Sequence, residues 1–585
     1  MYAMIAGFVA AAVVIAVLPA SAAASNADAR FKAIYTKEWT WREAQFAGED
    51  DEDTTKPISD HLPKDDAAAQ QTRLDYWMQT LSDAEAIPRD DLSPAEQVDY
   101  DVYRPQLEAL IADQKFRGYE MPANSDSSFW TDLGGTARRN FRTLTDYQNY
   151  IALLRDVPRY FREQTDEMRA GLRRGFTPPK VTLVGRDASI AAVADAKPEA
   201  SLFYAPFKEM PANIPAAEQE KLRAAGASAI ADSVAPAFRD LLAFMRDEYI
   251  PHARETLAAE ALPDGKAYYQ AQIKEYTTLD LSPDAIHAMG LKEVARIHEE
   301  MVAAMHEAGF KGDFPAFLVY LRTDPKFYAK TPEELLMRAA WIAKTFDGKA
   351  SQYFGLLPRG RFAIKPVPAD MAPFYTAGRG GPGVYLVNTY DLKSRPLYNL
   401  TALTLHESAP GHAFQMPLAA ERKDLPEFRQ KSYISAYGEG WALYSERLGL
   451  EMGMYETPYD KFGMWGYQMW RACRLVVDTG IHAKGWTREQ AIAYLKDNTA
   501  LPEHEIETEV DRYISWPGQA LSYYLGEMAI LDARAKAEKA LGDKFNLRAF
   551  HDAVLEEGSV PLPVLAARID RFIAEGGKGP YPDLE

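Results

Sequence analysis

Helix-opening signals recur along almost the whole chain and leave room for little else. Ser93-Pro94-Ala95-Glu96 and Thr331-Pro332-Glu333-Glu334 each place a hydroxyl cap before a proline at the first helical position, with a glutamate at the third. Thr487-Arg488-Glu489-Gln490 is a capping box without the proline. Ser282-Pro283-Asp284 opens a run to Ala308 in which Ile286, Met289, Val294, Ile297 and Met301 recur at helical spacing. The pattern predicts further helices over 68–81, 144–173, 216–247, 398–418, 427–450, 459–483 and 516–540. Strand signals are few. The clearest is Gly383–Asn388, after a Gly- and Pro-rich turn at 378–382; a shorter one is Phe362–Val367. The expected fold is mainly α, with a small β-sheet.

Residues Met4 to Leu18 are almost all apolar, and small residues follow. The run has the size of a signal-peptide core and is short for a membrane span. Residues 1–24 are therefore expected to be a signal peptide, cleaved after Ala22 or Ala24. The product would be exported, periplasmic or extracellular, with no stable membrane insertion. Residues 25–585 are expected to form a single large unit, with a subdomain break near 176–216, where helical periodicity fades into a Pro- and Ala-rich stretch. The one cysteine, Cys473, excludes both an internal disulfide and a Cys-rich zinc site. A net charge of −18 argues against a nucleic-acid partner, which would require a basic face.

The chemistry concentrates in Leu405-His406-Glu407-Ser408-Ala409-Pro410-Gly411-His412. A His-Glu pair followed by a second His is the pattern by which metallopeptidases hold zinc and activate its water. The spacing is an obstacle. On a regular helix, six residues separate the imidazoles by about 120° and about 9 Å along the axis, too far to share a metal. Pro410 cannot donate to the helix ladder and clashes with the carbonyl of His406, and Gly411 tolerates unusual dihedrals. The segment thus carries a means of breaking or widening the helix so that His412 returns beside His406. The third ligand is expected in Gly438-Glu439-Gly440-Trp441-Ala442-Leu443-Tyr444-Ser445-Glu446. Glu439, flanked by glycines, is favoured as ligand. Glu446, two turns on, is assigned to orienting a ligating histidine. His482, Tyr513 and Tyr523 are candidate donors to an oxyanion, Arg512 is a candidate for a substrate carboxylate, and Asp478 is a candidate support beside them.

Four motifs, H-E-x-x-P-G-H, G-E-G-W-A-L-Y-x-E, V-D-T-G-I-H and R-Y-x-x-x-P-G-Q-A-L-S-Y, span 406–523. Together they resemble the domain-of-unknown-function family 885, predicted bacterial metallopeptidases similar to the helical gluzincins. Dipeptidyl peptidase III has a comparable insertion, one residue shorter. The resemblance implies a metallopeptidase-like fold with its catalytic region at about 360–530. It also implies one Zn2+ per chain on His406, His412 and Glu439, with Glu407 as general base on a peptide substrate. The strand from Gly383, including Tyr385, resembles the edge strand that gluzincins offer to an extended substrate. The expected activity is hydrolysis of short peptides. Its rivals are a non-catalytic peptide-binding pseudoenzyme and a zinc-dependent amidase or esterase acting on non-peptide substrates.

Overall fold

The computed structural model describes residues 20–48, 57–125, 127–369 and 372–582. The apolar run Met4–Leu18 lies outside the described residues. The fold is mainly helical, with one small three-stranded sheet. The sequence caps work as expected. Ser93, Ser282 and Thr331 each accept a backbone N–H in the first turn of the helix they precede, and Thr487 and Gln490 form the full capping box.

We label in chain order the helices that build the site: α1 (Pro283–Glu307), α2 (Leu397–Glu407), α3 (His412–Glu421), α4 (Ser435–Glu451), α5 (Pro458–Lys484), α6 (Glu503–Ser515) and α7 (Ser522–Leu541). α5 is the spine. From Phe462 to His482 every residue except Gly466 is buried, so this helix has no solvent face. α1 and α2 pack along it, and α4 lies against α7. A second hydrophobic cluster gathers residues between Ile58 and Ala253 around the long helix Leu144–Arg174.

Three expected helices are not continuous. The one over 398–418 is split into α2 and α3, and the one over 427–450 is interrupted between Lys431 and Ser435. The one over 216–247 contains two wide turns, Ile230–Val234 and Phe244–Tyr249. Each wide turn contains the residue four before a proline, Pro236 or Pro251, where the ring would otherwise meet a carbonyl.

The sheet has the order β1-β3-β2, with β1 Ala363–Pro366, β2 Gly378–Gly381 and β3 Val384–Val387. β3 runs parallel to β1 and antiparallel to β2. The glycine-rich segment expected as a turn is thus itself a strand up to Gly381, and only Pro382-Gly383 turns. β3 is central, so the edge nearest the site belongs to β2. This corrects the expectation for Gly383 and Tyr385. Gly383 sits in the turn, and the Tyr385 ring is fully buried with its hydroxyl 3.4 Å from Thr404 Oγ1.

α4 and α7 touch through bare backbone. A Cβ on Gly526 would lie 1.9 Å from the carbonyl oxygen of Ala436, and one on Gly440 would lie 2.4 Å from the Gly526 carbonyl carbon. Gly526→Ala is expected to force the two helices apart and to destabilise the fold by about 1–3 kcal/mol, the usual range for overpacking. Thermal unfolding measures this; an unchanged midpoint would show that the contact opens freely.

Candidate metal centre

The site begins where a helix stops. α2 ends at Glu407, and Ser408 N–H makes its last regular bond, to the Thr404 carbonyl at 2.9 Å. Ser408 and Gly411 then leave helical dihedrals, at ψ −112° and −133°. Gly411 N–H reaches back six residues to the Leu405 carbonyl at 3.0 Å. α3 starts at His412, its first bonds running from Phe414 and Gln415 N–H to the Gly411 carbonyl. A Cβ on Gly411 would lie 1.8 Å from the His406 carbonyl oxygen, so only glycine fits this return. Trp441 Nε1 of α4 donates to the Pro410 carbonyl at 2.8 Å and pins the break in place. The outcome is two imidazoles with ring centroids 4.9 Å apart and planes at 83°.

α4 brings Glu439 to the same point. Its Oε2 lies 3.5 Å from His406 Nε2 and 3.4 Å from His412 Nε2, and the three ligand atoms fall within 4.8 Å of one another. Ligands at 2.0–2.1 Å in a tetrahedron stand about 3.3–3.4 Å apart, so these contacts have the spacing of ligands around one zinc-sized ion. Glu439 Oε2 is buried and makes no hydrogen bond of its own. Burial opposes charge on His406, yet Glu439, Glu446 and Glu407 overcome it and push the imidazole up to about 10. Burial likewise opposes charge on Glu439, but the two histidines hold its carboxyl well below the usual range. The surroundings call for a cation, and the two nitrogens and one oxygen are a donor set suited to zinc.

Two more acids complete the setting. Glu446, fully buried, accepts from His406 Nδ1 at 2.8 Å, which turns Nε2 toward Glu439. Nδ1 of His412 is buried and meets no protein partner, so of these two rings His406 alone has its Nδ1 held by a carboxylate. Glu407, half-buried beside the triad, accepts the Gly380 N–H of β2 on Oε2 at 2.6 Å. The β2 backbone comes so close that a Cβ on Gly380 would lie 1.6 Å from the Glu407 carbonyl oxygen. The bond from Asn388 N–H to the Ala377 carbonyl sets the phase of the ladder: Arg379 and Gly381 turn toward β3, while Gly378 and Gly380 turn their backbone groups to the free edge. That edge runs directly into Glu407.

The remaining sequence candidates have other partners. His482 is buried with both nitrogens spent on backbone: Nδ1 accepts from Ala259 N–H at 3.1 Å, and Nε2 donates to the Tyr513 carbonyl at 2.8 Å. Burial pushes it down to about 3, so the ring is neutral. Tyr513, buried, accepts from Trp470 Nε1 and Arg474 Nε, each at 2.9 Å. Asp478 accepts from the Tyr269 hydroxyl at 2.6 Å and from Gly518 N–H, and burial pushes its carboxyl up to about 7. Arg512 donates to Gln519 Oε1 at 2.9 Å and to the Tyr523 hydroxyl at 3.4 Å, with Glu509 3.6 Å away. Tyr523 is 9% exposed, its ring beneath the Arg474 guanidinium. The sequence reading missed Tyr433, whose hydroxyl donates to Glu439 Oε1 at 3.1 Å. The signal for it was Gly438, where a Cβ would lie 2.4 Å from the Tyr433 ring.

Comparison with known proteins places the chain in a family. Among curated proteins none matches the chain. A candidate lipoprotein from Colwellia psychrerythraea is similar over 94% of this chain and 99% of its own, at 27% identity and a TM-score of 0.86. A candidate lipoprotein of unknown function from Shewanella oneidensis matches over 92% and 99%, at 19% identity and a TM-score of 0.67, a likeness of fold. The family model described as bacterial protein of unknown function (DUF885) matches residues 42–569. The chain belongs to that family.

Proposed function

We propose that the protein is an exported zinc metallopeptidase that hydrolyses short peptides. The observation that carries this reading is the convergence of His406, His412 and Glu439 beside a glutamate already held by the edge of a strand. Bound by these three side chains, zinc would supply Lewis acidity and a water with a pKa near 7, as zinc does in sites of this donor type. Gly380 N–H holds Oε2 of Glu407, which leaves Oε1 to take the proton of the attacking water and pass it to the leaving amine. Glu446 fixes the orientation of the His406 ring. On the side of β2 away from β3, the Gly380 carbonyl, whose own N–H is taken by Glu407, would pair with an extended peptide and lay its carbonyl beside Glu407. This transfers to β2 the pairing role expected of β3.

The catalytic region lies within about 360–530 of one unit that spans residues 25–585. Export rests on the apolar run Met4–Leu18, and two structural relatives named as candidate lipoproteins support a place outside the cytoplasm. Among the described residues no helix is long and apolar enough to cross a membrane.

Elemental analysis tests the centre. Wild type is expected to carry about one zinc per chain, as a His2Glu site does. His412→Ala should lose it, and Glu407→Gln should keep it while losing hydrolysis of a peptide panel. Wild type without zinc after reconstitution would reject the reading. Turnover of non-peptide amides alone would redirect it to an amidase.

Glu446→Ala removes the acceptor of His406 Nδ1. Zinc affinity, measured by competition with a chelator, is expected to fall about 10–100-fold. Unchanged affinity would show that the ring is held by packing alone.

A further inference from the structure

Hydrolysis at such a centre needs a donor for the carbonyl oxygen as it gains negative charge. Of the three donors suggested by the sequence, two are committed to partners in the core. His482 is neutral with both nitrogens bonded to backbone, and the Tyr513 hydroxyl already receives two donors in the core. Tyr523 is 9% exposed and its hydroxyl lies 3.4 Å from Arg512, whereas the Tyr433 hydroxyl bonds a side chain of the triad itself.

Tyr433 differs in each respect. It lies on the short link between the helix Glu427–Lys431 and α4, and 44% of it is exposed although its hydroxyl touches a side chain of the triad. The ring stands 6.4 Å from that of His412 and packs over Gly438, where any side chain would collide with it. The link is anchored, because Ile434 N–H donates to Ser559 Oγ at 2.9 Å. The hydroxyl therefore sits against the triad and is fixed in position, while other parts of the residue are open to solvent. Its bond to Glu439 Oε1, at 3.1 Å, is long for a hydroxyl on a carboxylate, where about 2.5–2.7 Å is usual. Such a bond is weak and easily exchanged for a better acceptor.

We propose that Tyr433 is a catalytic residue of the peptidase reaction. Its hydroxyl turns about the Cζ–O bond, releases Glu439 Oε1 and donates to the substrate carbonyl oxygen as charge develops there. No proton leaves the tyrosine; one hydrogen bond is exchanged for a stronger one. Because the bond strengthens only as the oxygen gains charge, it raises turnover more than it tightens substrate binding. The inference rests on the peptidase reading.

The test compares zinc-loaded wild type with Tyr433→Phe, which keeps the ring and loses only the hydroxyl. The probes are peptide turnover, zinc content, and affinity for a phosphinic pseudo-dipeptide, whose P–O group mimics the charged oxygen. The expected result is a fall in kcat of about 10²–10³-fold with KM changed by less than about threefold. Phosphinate binding should weaken in parallel, and zinc content should not change. Turnover in wild type with kcat of Tyr433→Phe within about threefold would overturn the assignment and leave the peptidase intact. Loss of zinc from Tyr433→Phe would also overturn it, making Tyr433 a positioning residue for Glu439. Absence of both turnover and phosphinate binding in zinc-loaded wild type would remove the peptidase reading and this inference with it.

Discussion

The centre depends on a helix that is forced to stop. Six helical residues cannot bring two imidazoles to one metal, so the four residues from Ser408 to Gly411 must turn the chain back on itself. Every neighbouring group serves that turn. Pro410 removes an N–H the helix would have used, Gly411 clears the His406 carbonyl, and Trp441 holds the Pro410 carbonyl from α4. The residue that pins the break is two positions after Glu439, so one stretch of α4 both places the third donor and fixes the first two.

The surrounding core is polar where a helical core is usually apolar, and its charged groups are partly paired with one another. α5 buries Arg471 and Arg474. Arg474 meets Glu509 at 2.9 Å and the Tyr513 hydroxyl, while Arg471 stands over the Trp470 ring and 3.7 Å from Glu446. A buried carboxylate such as Glu446 is costly unless compensated. Here the compensation gathers on Oε1, which takes the His406 N–H and faces the Arg471 guanidinium. Glu527, on α7, takes the other course: burial, with Glu446 adding to it, pushes its carboxyl up to about 8, so it stays protonated at neutral pH. Glu439, held well below the usual range by the two histidines, keeps its charge where a cation would use it.

Much of this was legible in the sequence because the determinants are local. Caps, helical spacing, the separation of the two histidines and the Pro-Gly between them are all read within about two turns of chain, the range over which helical rules act. Glu439 was legible through its flanking glycines. What escaped depends on distant partners. β2 reads as a turn because glycines have low strand preference, and only its packing on Glu407 and pairing with β3 make it a strand. His482 resembled a catalytic residue because its sequence does not show that Ala259 and Tyr513 occupy both nitrogens. Tyr433 escaped because its ring is placed by a void at Gly438, and a void has no side chain to announce it.

The same reasoning explains why glycines crowd the centre. A metal site requires side chains from separate elements to meet within a few tenths of an ångström, which ordinary helix packing at 8–10 Å between axes does not guarantee. Bare backbone removes the variable. α4 rests on α7 at Gly440 and Gly526, so its height is set by main-chain contact next to Glu439. β2 rests on the end of α2 at Gly380, so the edge strand is set by main-chain contact at Glu407. α3 is turned back on α2 at Gly411, so His412 is set by main-chain contact with His406. Each of these candidate groups is thereby referred to a neighbouring backbone rather than to a flexible side chain, and the precision of the centre is inherited from the geometry of the peptide bond.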